Sequence, residues 1–162
     1  MPTHHKGPEE ERIALDAFIK LFRAADSLNR RLSAGLARAA LSAPQFGVLE
    51  TLLHLGPLCQ KDLARKHLRS GANMTMVVDN LERRGLVERV RGEKDRRFTT
   101  VHLTPAGRRL ITRTFPPHAR AITEVFSVLT KEEQIHLAHL CRRLGVAALG
   151  GSGEPGAEDN TR

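Results

Sequence analysis

A mainly α-helical fold with a small β-hairpin (α+β) is predicted by three observations in this 162-residue chain. Apolar residues recur at helical spacing through most of it. Between Ser70 and Thr104 the period changes: Met74, Val77, Val78 and Leu81 recur at three- and four-residue steps, then alternation begins at Leu86. A basic turn divides that alternation into two runs rich in strand formers.

The first long helix is expected from about Glu9 to Ala40. Leu21, Ala25, Leu28, Leu32 and Leu36 give it a seam near heptad spacing, and a seam on so long a helix needs a partner. Ser42 with Pro44 opens a second helix with Val48, Leu49, Leu52 and Leu53 inward, and Gly56-Pro57 stops it. A short third helix spans about Gln60 to His67, buried through Leu63 and Ala64. Leu68 to Gly71 turn the chain into a fourth helix, which Arg83-Arg84-Gly85 closes with cations and a left-handed cap. Two short helices joined by a tight turn form a helix-turn-helix, and the strands Leu86–Val90 and Phe98–Leu103 add a wing. Thr104-Pro105 starts another helix, which Pro116-Pro117 should kink or break. A capping box, Thr130 to Glu133, begins the last helix, expected to bury Leu137, Leu140, Cys141 and Leu144.

The division expected is a flexible lead (1–8), an N-terminal dimerisation helix (9–41) and a winged helix-turn-helix lobe (42–104). C-terminal dimerisation helices (105–149) and a disordered tail (150–162) follow. The central module can fill its own core, so the flanking apolar stripes are expected to pack against a second subunit; a monomeric helical cap would use the same stripes.

The net charge of +8 makes a polyanion a plausible partner, and its location is informative. Residues 61–113 hold 14 basic and 6 acidic side chains, while the rest of the chain holds 12 of each. Double-stranded DNA is therefore the expected partner, met by the fourth helix and the wing. Two cysteines are too few for a disulfide framework, and no stretch resembles a signal peptide or a membrane span, so a cytoplasmic protein without a membrane partner is expected. No P-loop, dinucleotide fingerprint, nucleophile elbow or metalloprotease histidine pair is present; neither enzymatic activity nor a cofactor is expected.

Lys61, Arg65, Lys66, Arg69, Arg91 and Lys94 are candidate phosphate contacts, each with solvated surface charge as the alternative. Ser70 can cap the reading helix, with or without a phosphate behind it. Asn73, Met76 and Asn80 lie opposite the buried stripe. Asn73 carries the donor and acceptor that match adenine, and Ala72, Thr75 or Met76 can meet a thymine methyl; Met76 as core filler is the competing reading. Asp79 would repel phosphate and is expected to pair with a neighbouring arginine. In the wing, strand alternation would point Arg96 and Arg97 to opposite faces, so one is expected to brace against Asp95 and the other to reach a minor groove, with an ordinary solvated hairpin tip as the alternative.

Candidate sensors are weaker. Cys59 precedes the third helix, where the helix end and Lys61 favour a thiolate, although a buried thiol is the simpler reading. Cys141 falls in an apolar stripe. His136 and His139 are spaced for zinc, with His118 a distant third, yet solvated histidines explain them and no metal is assigned. Phe18, Phe22, Phe46 and Phe115 are candidates to line a pocket for a small aromatic or other apolar ligand, or simply core.

The sequence Leu81-Glu82-Arg83-Arg84-Gly85-Leu86-Val87, then Asp95-Arg96-Arg97, then Leu103-Thr104-Pro105-Ala106-Gly107 resembles the MarR family of bacterial transcription regulators over about Glu9 to Leu149. The resemblance implies a homodimer reading a palindrome, often with a small-molecule pocket between lobe and dimer region. It implies that Asp95 and an arginine of the same run brace the wing while another enters the minor groove, with Arg97 favoured for the Asp-x-Arg role. Gly71 and Met76 depart from the arginine or polar residues many relatives carry, so base preference does not transfer. The function so implied is a ligand-relieved repressor; a redox or zinc sensor and a non-specific DNA-coating protein of the same fold are the alternatives.

Overall fold

The computed structural model describes residues 4–67, 70–92 and 99–149. Its elements are α1 (Glu9–Ala37), α2 (Ala43–Leu55), β1 (Leu58–Cys59), α3 (Gln60–Lys66), α4 (Gly71–Arg83), β2 (Val87–Arg91), β3 (Thr99–Leu103), α5 (Pro105–Phe126) and α6 (Lys131–Leu149). The expected helices and hairpin are present. Arg69, Lys94, Asp95, Arg96, Arg97 and the segment 150–162 lie outside the described residues.

Local chemistry explains most boundaries. Ser42 caps α2 through a reciprocal box with Gln45: the Gln45 N–H donates to Ser42 Oγ at 3.4 Å, and the Ser42 N–H to Gln45 Oε1 at 3.0 Å. Thr130 and Glu133 form the same box before α6, at 2.8 and 3.2 Å. Thr104 Oγ1 accepts from Gly107 N–H at 3.0 Å and donates to Gly85 O at 2.7 Å, so one hydroxyl caps α5 and ties it to the end of α4.

Three expectations are corrected. α1 stops at Ala37, because Ala40 turns left-handed (φ 51°), the one described non-glycine residue with positive φ. That conformation costs a residue bearing a Cβ on the order of 1–2 kcal/mol. α5 runs unbroken through Pro116 and Pro117; residues 112, 113, 116 and 117 are all exposed, so water can serve the carbonyls that the prolines leave without donors. A third strand, β1, pairs antiparallel with β3 (Leu58 opposite Val101), giving the sheet order β1-β3-β2. In the hairpin Val87 pairs with Leu103 and Arg91 with Thr99.

The core joins the lobe to the end of α1: Leu36, Leu49, Leu52, Leu63, Met74, Val78, Leu81, Val101 and Ile111 are buried together. α6 makes no more than glancing contact with any other element of its own chain. Within the chain Leu137 is half-buried, and Leu140, Cys141 and Leu144 are exposed. Along the α1 seam only Leu36 is buried, Leu28 and Leu32 are half-buried, and Leu21 and Ala25 are exposed. No helix among the described residues is long and apolar enough to cross a membrane.

Candidate nucleic-acid interface

The reading helix α4 divides as its period requires. Met74, Val78 and Leu81 are buried, and Ala72, Asn73 and Met76 are exposed. Met76 is 59% exposed, which removes the core-filler reading. Ser70 caps the helix, its Oγ accepting the Asn73 N–H at 3.3 Å. Thr75 is half-buried and committed: its hydroxyl donates to Gly71 O at 2.9 Å and accepts from Gln60 Nε2 at 2.6 Å, so it fastens α4 to α3 rather than facing out. Asn80 is half-buried and accepts from Arg83. Lys61, Lys66 and Arg91 are exposed and available to phosphate. Arg65 is exposed but leans on Asp62 at 2.9 Å, an ion pair of small worth that a phosphate can replace.

Arg89 was not legible as a site residue. From β2 it reaches Asp79 at 2.6 Å, Glu82, and Gln60 Oε1 at 3.0 Å, while its own N–H donates to Glu82 Oε1 at 3.1 Å. Burial works against the charge, but the hydrogen bonds and proximity of Asp79 and Glu82 outweigh it, and the Arg89 pKa is raised. The expectation that Asp79 pairs with an arginine is met. One guanidinium thus joins wing strand, reading helix and α3, and it neutralises two carboxylates beside the exposed face.

The four phenylalanines do not line one pocket. Phe18 and Phe22 stack on each other (5.9 Å) on the exposed side of α1, whereas Phe46 and Phe115 stack (6.4 Å) in and against the core. Heptad-like spacing brings the first pair together, and tertiary packing the second. A cleft of about 480 Å³ lies between α1 and α5, lined by Arg31, Arg38, Arg113, Thr114, Pro117 and His118 among others. Cys59 is the cap of α3: its thiol donates to Asp62 Oδ2 at 3.0 Å and accepts the Asp62 N–H at 3.4 Å. His136 and His139 are exposed, and no group of three or more metal-ligating side chains occurs among the described residues.

His118 packs on Phe46 at 4.4 Å with its Nδ1 buried and without a hydrogen-bond partner among the described residues, and burial lowers its pKa. Unfolding restores an ordinary imidazole near pH 6.5, so below that value the unfolded chain binds more protons and stability falls with pH, until the folded pKa is passed. His118→Phe is expected to remove this component. Urea midpoints compared at about pH 7 and about pH 5.5 test it: an equal acid loss in both proteins would refute the assignment.

Residues 41–99 match the model of the MarR family. The chain is 35% identical to the HTH-type transcriptional regulator MhqR of Bacillus subtilis, over 83% of this chain and 93% of that protein. Among solved structures, a MarR family protein from Bacillus stearothermophilus is 29% identical, with a TM-score of 0.60 over 88% of this chain and 99% of that one. NadR in complex with 4-hydroxyphenylacetate is 25% identical, with a TM-score of 0.68 over 90% and 98% of the two chains. The helix-turn-helix, the paired wing strands and these relatives agree: the chain belongs to the MarR family of transcriptional regulators, which bind DNA and are not enzymes.

Proposed function

We propose that this protein is a cytoplasmic homodimer that binds a palindromic operator, represses by occluding a promoter, and is released by a small anionic aromatic ligand. The observation that carries DNA reading is the exposed face Ala72, Asn73 and Met76 on a capped helix whose opposite stripe is buried, flanked by Lys61, Lys66 and Arg91. Phosphate contacts from these cations supply affinity through counterion release, and Arg69, Lys94, Arg96 and Arg97 extend them on sequence grounds. Asp95 serves in the same scheme as the wing brace.

Dimerisation is supported by the apolar side chains that one chain leaves uncovered: Ile13, Phe18 and Phe22 on α1, and Ile135, Leu144 and Val146 on α6. Two reading helices would then meet half-sites about 34 Å apart, so a small change in their spacing costs both at once. The ligand seat is the α1–α5 cleft, where Arg31, Arg38 and Arg113 offer charge and Pro117 and His118 a flat wall. NadR, which binds 4-hydroxyphenylacetate, supplies a precedent in chemistry.

Selection of bound duplexes from a random pool, followed by titration against scrambled competitor, tests specificity; equal competition would reject it. Asn73→Ala is expected to relax one position per half-site by about 1–3 kcal/mol. A uniform loss across all sequences would take base reading away from Asn73. Sedimentation that finds a monomer at micromolar concentration would reject the dimer.

A further inference from the structure

Two helices of this fold end in the same hydrogen-bonded turn built on different residues. At the end of α4, the Leu86 N–H donates to Leu81 O (3.0 Å) and the Gly85 N–H to Glu82 O (2.8 Å), with Gly85 left-handed (φ 65°). At the end of α1, the Leu41 N–H donates to Leu36 O (3.1 Å) and the Ala40 N–H to Ala37 O (2.9 Å), with Ala40 left-handed. Glycine adopts that conformation freely and alanine at a cost on the order of 1–2 kcal/mol, so the α1 turn carries a strain that the α4 turn does not. The last turn of α1 also lacks a basic residue to meet its carbonyl end.

Arg84, the residue that follows α4, supplies what α1 lacks. Its Nη1 donates to Ala40 O at 2.7 Å and lies 3.5 Å from Gln45 Oε1 of the α2 box, and its Nη2 lies 3.5 Å from Ala39 O. A side chain rooted at the end of the reading helix therefore holds a strained corner between α1 and α2. The same corner walls the α1–α5 cleft, since Arg38 and Ala39 line it together with Gly35 and Ala121.

We propose that Arg84 is the positioning residue that couples the cleft to the reading helix. Occupation of the cleft moves Arg38 and Ala39, draws the Ala40 carbonyl away from the guanidinium and frees the end of α4 to shift against α2. The coupling is reciprocal: operator binding, which fixes α4, also fixes the cleft wall. This deepens the proposed function and rests on its assignment of the cleft as ligand seat.

The test fills the cleft with a side chain in place of a ligand. A Cβ at Gly35 meets nothing within 4 Å, so Gly35→Phe can enter without a clash at its root, and Ala121→Phe fills from the opposite wall should the first variant fold poorly. Each is made in the full-length protein with Arg84 and with Arg84→Gln, and read by operator affinity and by amide exchange over residues 81–86. Filling is expected to weaken operator binding about 5- to 150-fold and to speed that exchange when Arg84 is present. With Arg84→Gln both effects should vanish relative to the unfilled protein. A filling effect that persists undiminished without Arg84, or no change in exchange over residues 81–86 in either background, overturns the proposal. Should the protein show no operator preference, the functional reading fails, and the exchange measurement still decides the coupling.

Discussion

Gly107→Ala is expected to destabilise the protein by about 2–4 kcal/mol and to lower its melting temperature by roughly 5–15 °C. A Cβ added at Gly107 would lie 1.9 Å from the Leu86 carbonyl oxygen and 2.8 Å from its carbon. Both are backbone atoms, so no rotamer change relieves the overlap. That carbonyl also accepts the Thr104 N–H at 3.2 Å, and Thr104 holds Gly85 O, so the start of α5 would have to move away from the α4–β2 corner. Gly35→Ala is the control: its Cβ meets nothing, its helix is regular, and a gain of about 0.4–1 kcal/mol is expected. Thermal and urea unfolding at fixed protein concentration measure both. A Gly107→Ala protein as stable as its parent would show that the approach of α5 to the Leu86 backbone is looser than described.

Arg89→Ala is expected to weaken operator binding by about 2 kcal/mol, roughly thirtyfold, although Arg89 need not touch DNA. Removing the side chain leaves Asp79 without its cation and Glu82 with only the backbone N–H of residue 89, two carboxylates beside the helix face proposed to meet DNA, and takes away the guanidinium's links from the wing to α3 and α4. The two contributions separate. Arg89→Ala combined with Asp79→Asn and Glu82→Gln removes the repulsion but not the lost brace, so partial recovery of affinity is expected. Direct titration at several salt concentrations gives the readout. Binding unaffected by Arg89→Ala would show that wing and reading helix hold their relative placement without it.

The cleft region shows how far local patterns reach. Spacing brought Phe18 and Phe22 onto one face of α1, but Phe46 and Phe115 meet only because α2 crosses α5. The four aromatic candidates therefore fall into two unrelated pairs, and the cleft proposed as ligand seat is lined by arginines instead. The motif Leu103 to Gly107 signalled a helix start; that its glycine abuts the Leu86 backbone is a long-range fact.

What the sequence alone determined was whatever a single turn or strand expresses: the buried stripe of α4, the caps at Ser42, Ser70, Thr104 and Thr130, the hairpin strands, and the concentration of charge in residues 61–113. These depend on periods of two or 3.6 residues and on side chains bonding to amides three positions away. Tertiary structure alone decided the two-residue strand β1, too short to show a period, and the early end of α1 at Ala37, set by the left-handed turn at Ala40, whose type favours helix. It also decided which cations are spent on the fold. Arg83, Arg84, Arg89 and Arg91 look alike in sequence, yet Arg84 is bonded to the carbonyls that end α1 and Arg89 to carboxylates, because charge takes its meaning from the groups that folding places opposite it.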